Sequence, residues 1–193
     1  MVAVAAAGLL SLRRPADDPK ALPVLGQVPP FTLIERSGQP LARADLDGRP
    51  WVADFIFTRC SGICPVLSTR MVDLQRQARE AGLDARMVSF SVDPSHDTPE
   101  VLRDYAARFA AVDDSWLFVT GDRGAMHELI GKGFRLSVAE RDPATADDGG
   151  ELITHSDRLV LVDAEGRIRG YYHGTEADSV PAVLRDLLTL RKP

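Results

Sequence analysis

Trp51-Val52-Ala53-Asp54-Phe55-Ile56-Phe57, followed at once by Thr58-Arg59-Cys60-Ser61-Gly62-Ile63-Cys64-Pro65, is the stretch that decides the architecture. The first part is a compact apolar run bounded by Gly48-Arg49-Pro50 and by the cysteine loop, and its length fits a buried central strand better than a helix. Beyond Pro65, the apolar residues Val66, Leu67, Met71, Leu74 and Ala78 recur at helical spacing until Gly82 stops the pattern. A buried strand therefore hands a cysteine loop to the start of a helix. The carboxyl end of such a strand is where open α/β sheets place ligand sites.

Working outward, Phe31-Thr32-Leu33-Ile34 and Pro40-Leu41 flank the turn signal Ser37-Gly38 and read as a β-hairpin. Downstream, residues 85–92 form a strand pattern that Asp93-Pro94-Ser95 breaks. Asp97 or Thr98 caps the next helix, with Pro99 in its first turn. Residues 116–119 read as a strand, 122–130 as a short helix and 134–138 as another short strand. Residues 140–150 are acidic and loop-like, residues 159–163 and 167–172 flank Ala164-Glu165-Gly166 as a hairpin, and 177–190 close the chain as an amphipathic helix. This order predicts an α/β fold with a central mixed sheet. A cysteine pair on a βα connection makes it thioredoxin-like: three layers plus an extra N-terminal β-hairpin. Three residues separate the cysteines here, against two in thioredoxin motifs.

Composition narrows the function classes. With 193 residues, 45% hydrophobic and 26% charged, the chain suits one globular domain, which excludes wholesale disorder and a multi-span membrane protein. A net charge of −5 without a long basic run argues against a nucleic-acid partner. Two cysteines exclude a multi-bridge disulfide scaffold.

The pair sits where chemistry is favoured. Pro65 fits the first helical position, which makes Cys64 the N-cap and Cys60 part of the loop, and the helix dipole there favours thiolate. Two thiolates so placed can form a reversible disulfide or hold a soft metal such as copper(I) or zinc, with an imidazole completing the site. A plain staple is the third reading, and closing so short a loop gains it little entropy. Among four histidines, His96 reads as a solvated loop residue, His127 as a helix-face residue and His173 as a strand-end residue. His155, between the acidic loop and the strand from Leu159, is placed to reach the top of the sheet.

The N-terminus opens on an apolar run, residues 2–10, about half of what spans a bilayer, and Arg13-Arg14 follow. Three readings stand: the back half of a membrane anchor, an unusual signal segment, or an apolar tail. Residues 1–28 are accordingly expected to be the remnant of an anchor or signal plus a linker, and 29–193 a single thioredoxin-like domain.

Several of these residues also resemble a known family. Asp54-Phe55-Ile56-Phe57-Thr58-Arg59-Cys60 through Cys64-Pro65, then Ser91-Val92-Asp93-Pro94 with Asp97-Thr98-Pro99-Glu100, then Thr154-His155-Ser156, resemble the successive motifs of the Sco/SenC copper chaperones. The resemblance implies a membrane-anchored protein, facing the bacterial periplasm or the mitochondrial intermembrane space and here expected in the periplasm, that binds copper through Cys60, Cys64 and His155. It implies assembly of the dinuclear copper centre of cytochrome c oxidase, by copper delivery to the copper-site subunit, by thiol–disulfide reduction of that subunit's cysteines, or by both. A further periplasmic copper chaperone or thiol reductase is an expected partner. Ser61-Gly62 stand where proline often follows the first cysteine. Arg59 replaces a smaller or imidazole side chain, and a guanidinium there favours thiolate.

Overall fold

The computed structural model describes residues 21–111, 115–137 and 156–191. Its strands are β1 (Gly26–Gln27), β2 (Thr32–Glu35), β3 (Pro40–Ala42), β4 (Trp51–Ile56), β5 (Arg86–Ser91), β6 (Trp116–Thr120), β7 (Arg158–Val162) and β8 (Arg167–His173). Its helices are α1 (Ile63–Glu80), α2 (Pro99–Arg108), α3 (Arg123–Glu128) and α4 (Ser179–Leu190). The strands form one mixed sheet in the order β1-β8-β7-β4-β5-β6-β2-β3. At its centre β4 runs parallel to β5, and β5 to β6, as crossover helices require. β7 joins β4 antiparallel and turns into β8, while the β2–β3 hairpin docks antiparallel on β6.

All six residues of β4 are buried, so its continuous apolar run is explained by cover on both faces. Val52 and Ile56 face a layer made by Leu67, Met71, Leu74 and Ala78 of α1, Leu102 and Tyr105 of α2, and Val183 and Leu187 of α4. Trp51, Ala53 and Phe55 face the opposite layer, with Met126, Leu129, Ile130, Phe134 and the hairpin's Leu33 and Leu41. The expected thioredoxin-like, three-layer arrangement with its extra hairpin is the one observed.

Two local expectations are corrected. Of the expected strand at 134–138, residues 134–137 do not extend as one, and residue 138 lies outside the described residues. A π-helical turn, Leu129–Gly133, follows α3, and Phe134 then drops its ring into the core, 5.0 Å from Phe55 and 5.3 Å from Phe90 between ring centres. Arg135 takes φ 55°, which ends any extended run. The apolar alternation of Phe134 and Leu136 thus serves an aromatic plug. Helix α1 also begins at Ile63, with Gly62 as its cap, rather than at Pro65. Proline is tolerated anywhere in a first turn, because the N–H it lacks has no helical partner there.

Candidate metal centre

The cysteine loop is built by the end of β4 and the start of α1. Cys60 N–H donates to the Phe57 carbonyl at 3.2 Å, closing a turn that brings its sulfur back over the helix. There Cys60 Sγ accepts the Cys64 N–H at 3.5 Å. Both cysteines are free thiols; Cys60 is half-buried and Cys64 is 1% exposed.

The earlier start of α1 changes the expected electrostatics. Cys64 lies inside the first turn and packs into the apolar layer with Leu67. Burial pushes its thiol well above the ordinary range, and the charges of Cys60 and Asp54 add to that shift. Desolvation therefore outweighs the helix dipole at Cys64, and the expected thiolate preference does not hold for this residue.

Beneath the pair lies a group that the sequence reading passed over. Asp54 interrupts the apolar run of β4 on the same sheet face as Val52 and Ile56, and it is fully buried. Its Oδ1 accepts the Ser89 hydroxyl at 2.5 Å, and Ser89 Oγ in turn accepts the Trp116 indole N–H at 2.9 Å. Among the described residues Oδ2 has no hydrogen-bond partner. Burial raises the carboxyl to about 7 despite the Ser89 hydrogen bond. The signal was a lone acidic residue in a run otherwise apolar. Its partners lie on other strands, beyond the reach of local pattern.

Arg59 donates to Asp93, with Nη2 2.6 Å from Oδ2. Asp93 is buried, with a side chain 1% exposed against 49% for Arg59. The pair joins the cysteine loop to the connection between β5 and α2. His173 stands at the end of β8 with Nδ1 2.8 Å from Asp157 Oδ2, and Thr175 donates to the same oxygen at 3.1 Å. Burial works against the Asp157 charge, but the His173 and Thr175 hydrogen bonds outweigh it and hold the carboxyl below its usual range. His96 donates its backbone N–H to the Asp93 carbonyl, and His127 lies on α3. His155 and the acidic loop at 140–150 lie outside the described residues. Among the described residues no group of three or more His, Cys, Asp or Glu is placed to hold a metal ion. The structure therefore brings together Cys60 and Cys64, two sulfur donors of the kind that select soft metals.

Comparison with known proteins decides the family. The SCO1/SenC family model matches residues 23–190. The chain belongs to the SCO1/SenC family. It is 32% identical over 166 residues to the SCO1 protein homolog of Bacillus subtilis, covering 86% of this chain and 83% of that one. It is 30% identical over 169 residues to a protein of Stutzerimonas stutzeri provisionally named as copper-binding, covering 86% and 79%. Among solved structures, BsSco, described as having a disulfide switch and as a member of the Sco family of cytochrome c oxidase assembly proteins, superposes with a TM-score of 0.76. That match has 32% identity and covers 88% of this chain and 96% of BsSco.

Proposed function

We propose that this SCO1/SenC protein is a copper chaperone that binds one copper ion through Cys60, Cys64 and His155 and passes it to the copper-site subunit of cytochrome c oxidase. The observation that carries the reading is the convergence of two free thiols at the start of α1, one accessible and one buried, with Cys60 Sγ against the Cys64 N–H. Copper is cargo here, so the site must both hold and release it. The buried Cys64 sulfur supplies a fixed donor, and the more exposed Cys60 is the one an incoming ligand reaches first. The names of relatives that carry copper binding and oxidase assembly support the same direction. We place the chain in the bacterial periplasm, held to the membrane through its N-terminal residues, as the apolar run ahead of Arg13-Arg14 suggests.

Copper binding must displace thiol protons. Because burial holds the Cys64 proton tightly, apparent affinity falls as pH drops. The test is copper titration of reduced and oxidised protein followed by absorption spectroscopy. Charge-transfer bands that appear only in the reduced form, at one copper per chain, support the chaperone, and His155→Ala is expected to lose most of the copper(II) affinity. Tight binding in neither form refutes the reading, and parental affinity in the variant refutes the three-ligand site.

The same pair of free thiols, one of them accessible, also favours a second reading, a thiol–disulfide reductase that keeps the oxidase's cysteines reduced. In that case His155→Ala retains full reduction of a model disulfide, and copper is not required.

A further inference from the structure

Two buried carboxylates press against the cysteine loop from the connection between β5 and α2. Asp97 is 0% exposed, and it accepts the Thr58 N–H at 3.2 Å, the Thr58 hydroxyl at 2.5 Å and the Ser91 hydroxyl at 2.7 Å. Asp93 accepts Arg59 Nη2, and its own N–H donates to Ser91 Oγ at 3.1 Å, so Ser91 links the two. The Asp97 N–H donates to the Asp93 carbonyl at 2.9 Å, and the Val92 N–H to the Ile56 carbonyl at 2.8 Å. These bonds tie the connection between β5 and α2 to the residues just ahead of Cys60.

What it holds is specific. Thr58 and Arg59 are the last two residues before Cys60. Beyond them, Ser61 and Gly62 are exposed, and among the described residues nothing outside Gly62's chain neighbours lies within 4 Å of the position a Gly62 Cβ would take. Cys64 is then fixed again by α1. One sulfur thus sits on a helix, and the other lies on a short segment whose upstream end is held by Asp97 and Asp93 and whose sulfur meets the Cys64 N–H.

We propose that Asp97, seconded by Asp93, is a positioning residue that sets the effective concentration of the Cys60 thiol at Cys64. A fixed pivot confines Cys60 to conformers close to its partner, which spares the pair the entropy of a loose loop when a bond forms between them. The inference concerns the pair alone and stands whether or not copper is its cargo.

Its test is thiol–disulfide equilibrium with glutathione. A Cys60 or Cys64 thiolate attacks glutathione disulfide, forming a mixed disulfide and releasing one glutathione thiolate. The second cysteine then displaces the other glutathione, and the two protons lost by the cysteines end on the two glutathiones. The pair is oxidised by two electrons and glutathione disulfide is reduced. The full chain is equilibrated in glutathione buffers and the oxidised fraction read by mass after trapping, with urea unfolding midpoints measured alongside. Asp97→Ala should lower the disulfide formation constant about tenfold, equivalent to about 30 mV. Thr58→Val, which loses the hydroxyl but keeps the backbone donor, should lower it about threefold, and Asp97→Asn, which retains an acceptor oxygen, should stay within about threefold of the parent. A merely structural role moves the midpoint and leaves the constant alone. A constant unchanged within about twofold, or raised, in Asp97→Ala overturns the proposal. If that variant does not fold, Thr58→Val decides by the same criterion.

Discussion

Replacing Asp54 by asparagine isolates the ionisation of one carboxyl inside the core. In the folded protein, burial moves that group from 3.8 to about 7. In the unfolded chain it titrates near its ordinary value, about 3.9. Between those values the folded state keeps a proton that the unfolded state has lost, so stability is full below about pH 4 and declines as pH rises toward 7. A shift from 3.8 to about 7 is roughly three pH units, and at about 1.4 kcal/mol each the loss comes to about 4 kcal/mol. Asparagine removes the titration while preserving size and an acceptor for Ser89. The assay is urea unfolding of reduced, metal-free protein and of Asp54→Asn from about pH 4.5 to 8. The parent-minus-variant difference should swing toward the variant by several kcal/mol and level off above about pH 7.5. Titrations distant from Asp54 are common to both proteins and cancel. Any constant packing cost of the amide shifts the whole curve without bending it. A difference that stays flat across this range refutes the assignment of an uncompensated buried carboxyl.

Iodoacetamide should label Cys60 at least about tenfold faster than Cys64 in the reduced protein, because Cys64 is buried and its thiol is pushed up; equal rates by peptide mass analysis contradict this. Phe134→Ala, which empties the aromatic plug against Phe55 and Phe90, should cost about 3–5 kcal/mol in urea unfolding, and a loss below about 1 kcal/mol contradicts the plug. At Asp163, burial raises the carboxyl, but hydrogen bonds from Arg169 and Arg167 outweigh it and hold it below its usual range. The stability it supplies is present above about pH 4 and lost as pH falls through the depressed value. Asp163→Asn should therefore flatten the acid limb of the stability curve and, by loosening Arg169, speed thermolysin cleavage at Leu22 and Leu25. An unaltered acid limb refutes the role.

Much of this was legible because β4 is covered on both faces, so its apolar run could be read without knowing its neighbours. The cysteine loop followed, since Gly48-Arg49-Pro50 and Gly82 punctuate the elements around it. Local pattern failed where tertiary contacts decide. Phe134 and Leu136 alternate as a strand would, yet the core takes Phe134 as a plug. Pro65 advertises a helix start, but two earlier residues have room to wind, and that buries Cys64 and reverses its expected acidity. Asp54 and Asp97 were visible as letters, while the partners that give them meaning, Ser89 and Thr58, lie 35 and 39 positions away. His155, the residue the family resemblance singles out, lies outside the described residues.

The strap ahead of β2 carries an orientation. Leu25 donates to the Ile168 carbonyl at 2.8 Å, Arg135 to the Leu25 carbonyl at 3.0 Å, and Arg169 to the carbonyls of Pro23 and Leu22. β1 runs antiparallel to β8, and β8 runs alongside β4 in the same sense, toward the cysteine loop. Read backward from β1, the backbone therefore climbs toward the face that bears Cys60. At Leu22 the backbone is thus held, through Arg169, on the side of the sheet that also carries the thiols, like a mooring line made fast at the bow.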